Sequence, residues 1–102
     1  MKKQLISQAL ESHLSELVSM SDQIYDFAEP GMEEIQSSRL LTEYLKAKGF
    51  EVECGIAGLP TAFRAVYEQG SGGPSFGFLE EYDAIKDIGH ACGHHMQGPS
   101  VI

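Results

Sequence analysis

Between Glu80 and His95 the chain places Glu80, Glu81, Asp83, His90, Cys92, His94 and His95, seven of the side chains in these sixteen residues that can bind a metal or move a proton. Thiolate, imidazole and carboxylate together form the donor set that suits zinc and related divalent ions. Cys92 and His94 flank Gly93, which lets the backbone fold tightly enough for both to point inward, and they are the candidate metal ligands. Asp83 either ligates as well or hydrogen-bonds a ligating histidine and fixes its tautomer. His90 and His95 are left for supporting contacts or proton transfer.

A Cys-x-His spacing is by itself a weak signal, far weaker than paired CxxC knuckles. Here four His or Cys side chains fall within six residues beside two acids, which tips the reading toward metal. The competing reading makes Cys92 a nucleophile with His94 or His90 as base, but no feature of the sequence supplies an oxyanion donor. Elsewhere, Cys54 reads as a packed strand residue, His13 as a packing residue on the first helix, and Glu33 and Glu34 as charges at a helix start. The run Gly70 to Pro74 lacks the lysine and following Ser/Thr of a phosphate-binding loop and reads as a turn.

These side chains need elements to hold them. Ile6, Leu10, Leu14, Leu17, Ile24 and Phe27 recur at helical spacing and predict one long amphipathic helix from Leu5 to about Ala28, ended by Pro30-Gly31. A second helix begins near Glu33 and runs through Ile35, Leu41, Tyr44 and Leu45 to a left-handed cap at Gly49. Phe50, Val52 and Cys54 alternate with Glu51 and Glu53 as in a half-buried strand, and Ala62 to Glu68 predicts a second. Ser75 to Glu80, with Phe76, Phe78 and Leu79, predicts a third strand covered on both faces. The order predicts an α/β fold in which helices cover a sheet, and the acidic and thiol-imidazole residues follow the carboxyl end of its last strand, where open α/β sheets bind ligands.

With 102 residues, 42% hydrophobic and 22% charged, the chain has room for one small globular core. Fifteen acidic against seven basic residues give a net charge of -8, which argues against nucleic acid or an anionic membrane surface as partner. No apolar run approaches the roughly 20 residues that span a bilayer. The start, Met1-Lys2-Lys3-Gln4, leads into an amphipathic segment with no signal-peptide core, so the expected location is cytoplasmic, with Cys54 and Cys92 reduced.

Ala28-Glu29-Pro30-Gly31-Met32-Glu33-Glu34, Gly77-Phe78-Leu79-Glu80-Glu81-Tyr82-Asp83-Ala84-Ile85 and above all His90-Ala91-Cys92-Gly93-His94 give the chain a resemblance to a known family. It resembles the dinuclear-metal peptidases and amidohydrolases that include aminoacylase, hippurate hydrolase, auxin-conjugate hydrolases and aminobenzoyl-glutamate hydrolase. The resemblance implies that residues 1–102 are the N-terminal portion of a catalytic domain with a zinc-peptidase-like helix-sheet-helix sandwich, its lid domain and C-terminal half lying outside the chain. It implies two divalent ions, zinc or manganese, with Cys92 and His94 as ligands, Asp83 supporting the metal site, and His90 and Glu81 behind the ligands. Other branches of the family place a metal-binding histidine at the position of Glu81. The general base, a glutamate, would also lie outside these residues. The implied reaction is hydrolysis of an amide bond in an N-acyl amino acid or small peptide, by an enzyme that pairs into a homo-oligomer through its lid, with the isolated chain inactive. Two departures stand out: Lys86 replaces a usual proline, and His95 a usual Asp or Asn.

From a different class, a small non-catalytic metal-binding or interaction module would retain the half-site without the reaction. A purely structural α/β domain would hold no metal. The unpaired edge of a partial sheet and the apolar helix face are expected to promote association.

Overall fold

The computed structural model describes residues 2–68 and 72–101. Helix α1 spans Lys2–Phe27 and ends where Ala28 turns into the left-handed region, φ 47°. Helix α2 spans Ile35–Ala47. Its first free N–H groups are met by Glu29, whose carboxylate accepts from Ser37 at 2.7 Å and Gln36 at 2.9 Å. Glu34, which precedes the helix directly, makes no capping hydrogen bond and instead accepts from the Thr61 hydroxyl at 3.2 Å.

The far end of α2 closes as expected at Gly49, φ 94°. The Phe50 N–H donates to the Leu45 carbonyl at 3.0 Å and the Gly49 N–H to that of Lys46 at 3.1 Å, the paired bonds of a Schellman cap. The cap feeds the chain directly into strand β1, Glu51–Cys54, which pairs antiparallel with β2, Phe63–Val66, in the register Glu51↔Val66 to Cys54↔Phe63. A short 3₁₀ turn at Ile56–Gly58 lies in the connection, and a second, His94–Met96, leads into helix α3, Gln97–Val101.

The core lies where the C-terminal half of α1 crosses α2: Ile24 and Leu41 are fully buried, with Met20 and Tyr82 beside them and Leu17, Leu40, Tyr44 and Phe63 around the edge. Phe63 brings the hairpin to this core and Tyr82 brings the site segment. The expected α/β class holds, as three helices and a two-stranded sheet among the described residues.

Two expectations are corrected, and a third, the uncovered apolar face of the first helix, takes a definite position. Ser75 to Glu80 forms no strand; Phe76, Phe78 and Leu79 are 83%, 74% and 102% exposed. An apolar run becomes a strand only when neighbours pair with its N–H and C=O groups, and among the described residues none pairs with it. The helix-covered sheet is accordingly reduced to one hairpin. Cys54 is exposed rather than packed, because it ends its strand beside an open groove lined also by Arg39 and Thr42. The apolar stripe of α1 is covered only toward its C-terminal half: Ile6, Leu10 and Leu14 are exposed, since a 26-residue helix of about 39 Å outruns the 13-residue helix packed against it. The expected turn at residues 69–74 lies partly outside the described residues.

Candidate metal centre

Burial alternates along Glu81 to Ala84: Tyr82 and Ala84 are buried, while Glu81 is exposed and Asp83 half-buried, the alternation that places Glu81 and Asp83 on one outer face. Each residue of the inner pair is anchored. The Tyr82 hydroxyl donates to the Thr61 carbonyl, and burial, helped by Glu34, raises its pKa well above the ordinary phenol range. The Ala84 N–H donates to the Glu29 carbonyl at 2.7 Å, within a parallel bridge between Pro30 and Ala84. The outer pair is held by its backbone as well, because the Glu81 N–H donates to the Gln97 side-chain oxygen at 2.9 Å.

His94 reaches this face from the other side. After Asp83 the chain makes a tight loop in which Ile85 and Gly89 exchange hydrogen bonds of 3.0 and 2.9 Å; Lys86 and Asp87 lie within it. Gly93, φ 80°, then turns the backbone into the 3₁₀ turn that starts at His94. The His94 ring is 22% exposed. Its Nδ1 lies 2.9 Å from Asp83 Oδ1 and its Nε2 3.3 Å from Glu81 Oε2. A carboxylate only accepts, so Nδ1 carries the proton shared with Asp83.

One donor atom each from Glu81, Asp83 and His94 lies within 4.8 Å of the others. One imidazole and two carboxylates at that separation are a donor set that fits a divalent cation of the zinc or manganese class. The spacing Glu81-x-Asp83 is the signal that sequence reasoning underused: in an extended segment, alternate residues share a face. Cys92 is exposed and its thiol is not in this group. The structure thus brings together Asp83, Glu81 and His94 and leaves the expected ligand Cys92 outside.

His90 and His95 form a separate cluster with Tyr25. Their rings are 5.2 Å apart, and burial, with the neighbouring His95 adding to it, lowers the pKa of His90. His13 is half-buried on α1, its Nδ1 4.0 Å from Glu16 Oε2, away from the site. Glu80 faces the other way from Glu81; its Oε2 approaches Gly98, which itself packs on Leu41, and burial there pushes the carboxyl up to about 6. The open groove along α1, lined by Leu14, Val18 and Gln23, and the groove between α2 and the hairpin contain none of the three clustered residues.

Comparison with known proteins follows the same residues. The chain is 31% identical over 91% of its length to one of the subunits of the p-aminobenzoyl-glutamate hydrolase of Escherichia coli (strain K12), and 33% identical over 88% to the Xaa-Arg dipeptidase of Homo sapiens. Both are of the M20 peptidase and amidohydrolase type, and the match runs along their N-terminal part. The chain belongs with the N-terminal part of the M20-type peptidases and amidohydrolases. The mouse Xaa-Arg dipeptidase is 30% identical over 92% of the chain. No family model matches. The chain spans 22–24% of the length of these M20-type relatives.

Proposed function

We propose that the chain is the N-terminal, metal-ligating portion of a metal-dependent amidohydrolase or dipeptidase, acting on an N-acyl amino acid, an acyl-glutamate amide or a dipeptide. The observation that carries this reading is the convergence of Glu81, Asp83 and His94 within a sequence related to such hydrolases. Divalent ions, when bound, supply Lewis acidity toward the scissile carbonyl and toward water.

The chain's own residues prepare that site. Asp83 holds the Nδ1 proton of His94, which leaves the Nε2 lone pair for a metal. Tyr82 and Ala84 fix the backbone that carries both carboxylates. Cys92 enters as a ligand through the family resemblance alone. The free, exposed thiols of Cys54 and Cys92 accord with a reducing compartment such as the cytoplasm.

Three donors on one exposed edge supply neither a closed substrate pocket nor a general base, so the 102-residue chain by itself is inactive in this reading. The test is hydrolysis of p-aminobenzoyl-glutamate, N-acetyl amino acids and Xaa-Arg dipeptides with zinc or manganese. The assay compares the 102-residue chain with a protein that continues it by the length its relatives have. Turnover by the longer protein alone, lost in His94→Ala, is the expected outcome. A metal-loaded longer protein without amide hydrolysis on any of these substrates overturns the proposal and leaves a non-catalytic metal-binding module.

A further inference from the structure

Resting on the metal-dependent reading above, we infer that Gln97 is a positioning residue of the candidate centre: its side-chain amide holds the loop that carries Cys92 and His94 against the segment that carries Glu81 and Asp83. The observation behind it is one hydrogen bond between residues 16 apart in the chain. The Glu81 N–H donates to Gln97 Oε1 at 2.9 Å. A backbone N–H only donates, so it is the amide oxygen that faces it.

Each end of that bond lies close, along the backbone, to side chains of the site. The Gln97 N–H donates to the His94 carbonyl and the Met96 N–H to that of Gly93 at 3.1 Å, so Gln97 stands one closed 3₁₀ turn from His94. Cys92 is two residues further back. At the other end the bond fixes the main chain of Glu81, next but one to Asp83. The bond uses no thiol, carboxylate or imidazole, so it serves the centre whichever of these side chains take a metal. Donors must keep their metal distances to within about 0.2 Å, and a tie at the base of the loop narrows the range over which its two sides move.

Gln97 is itself anchored. It opens α3, and the residue after it, Gly98, is buried against Leu41: a Cβ at Gly98 would stand 3.0 and 3.1 Å from the two Leu41 methyl carbons. Leu41 is fully buried in the core, so a larger residue at 98 would have to push it aside, and glycine lets the start of α3 sit where the Gln97 side chain reaches Glu81. The Ser100 hydroxyl donates to the Gln97 carbonyl at 2.9 Å and holds the same turn. The acid-bearing segment is anchored separately, through Tyr82 to Thr61 and through Ala84 to Glu29. Two pieces of chain, each fixed to the core by its own contacts, are joined beside the site by Gln97.

The metal-free 102-residue chain is compared with Gln97→Leu and Gln97→Glu, each first checked for native helix content and melting temperature. Amide hydrogen exchange at Glu81 reads the bond itself, and cobalt(II) titration reads the centre, by calorimetry for affinity and by the visible bands for coordination geometry. Gln97→Leu is expected to speed exchange at Glu81 about tenfold, to weaken cobalt binding about tenfold, as loss of a supporting contact behind a metal ligand does, and to alter the visible bands. Gln97→Ala removes the same acceptor without adding an apolar end and is expected to behave alike. Gln97→Glu keeps an acceptor oxygen at the same reach and is expected to keep the slow exchange and the native bands, with affinity no lower than native. Exchange at Glu81 unmoved by Gln97→Leu and Gln97→Ala overturns the inference. So does faster exchange with affinity and bands unchanged, which makes Gln97 a tie of the fold alone and leaves the hydrolase reading standing. A native chain that binds no cobalt(II) overturns it too, by removing the centre that Gln97 would position; the hydrolase reading is then decided separately, by turnover in the longer protein.

Discussion

At the scale of single residues the site depends on one contact more than on any other. Asp83 Oδ1 lies 2.9 Å from His94 Nδ1, and in the proposed metal centre this contact would decide which ring nitrogen faces the metal. Asp83→Ala is expected to lower zinc affinity about 10–100-fold while leaving helix content unchanged, as loss of a partner behind a ligating histidine typically does. Unchanged affinity in calorimetry would show that the ring is oriented by something else. Glu80 offers a second check, on burial rather than on metal. Its carboxyl titrates near 6 instead of 4.5 because burial penalises its charged form, so the folded state binds the proton more tightly than the unfolded state. Its stabilising contribution is full below about 4.5 and is lost as pH rises through about 6. Thermal melts of the metal-free chain should therefore show a decline across that window that Glu80→Gln flattens; parallel profiles for the two proteins would mean that the carboxyl is not desolvated.

At the scale of elements, the signals legible in the sequence are those carried by nearby residues. Both long helices follow from apolar spacing, and the cap of α2 follows from Gly49 because its two hydrogen bonds close within five residues. The N-terminal cap departs from the sequence expectation for the opposite reason. Glu33 and Glu34 stand at the helix start, yet the side chain that meets the free N–H groups is Glu29, seven and eight residues upstream across a turn. Glu29 is 9% exposed and also lends its carbonyl to Ala84, so it ties the start of α2 to the segment carrying Asp83. Glu29→Ala removes two charge-assisted bonds, one from the buried Ser37 N–H and one from the part-buried Gln36 N–H, and is expected to cost about 1–3 kcal/mol in denaturant melts, whereas Glu33→Ala should cost less than about 0.5 kcal/mol. The third strand fails on a different count. Period and composition report how apolar a segment is, but a strand exists only with its lateral partner, and the sequence of Ser75 to Glu80 says nothing of who that partner is. The candidate site shows the same division: the residue types are legible, whereas the convergence of Glu81, Asp83 and His94, with the Cys92 thiol outside that group, depends on how the segment carrying the two acids and a tight loop meet.

Taken as a whole, the molecule exposes more surface than its mass requires. Its accessible area is 7589 Å², against about 5,700 Å² for a compact monomer of 11.2 kDa, and its radius of gyration is 14.5 Å against about 12.8 Å. Two of the features exposed carry large apolar side chains close together in sequence. One is the uncovered stripe of α1 at Ile6, Leu10 and Leu14; the other is the segment bearing Phe76, Phe78 and Leu79. The second combines exposed large side chains with backbone groups that have no ladder partner among the described residues, the combination that invites pairing with another chain. A net charge of -8 opposes association but is screened beyond about 8 Å at physiological salt, so apolar contact wins once copies meet. Sedimentation of the 102-residue chain should accordingly show self-association that grows with both protein and salt concentration. Phe76→Lys together with Leu79→Lys adds two like charges on this segment without touching the core, and it should restore a monomer with the helix content of the native chain. Association that persists in that variant but disappears in Leu10→Lys with Leu14→Lys would move the sticky surface to α1, and a monomer at all concentrations would mean that neither apolar surface drives association.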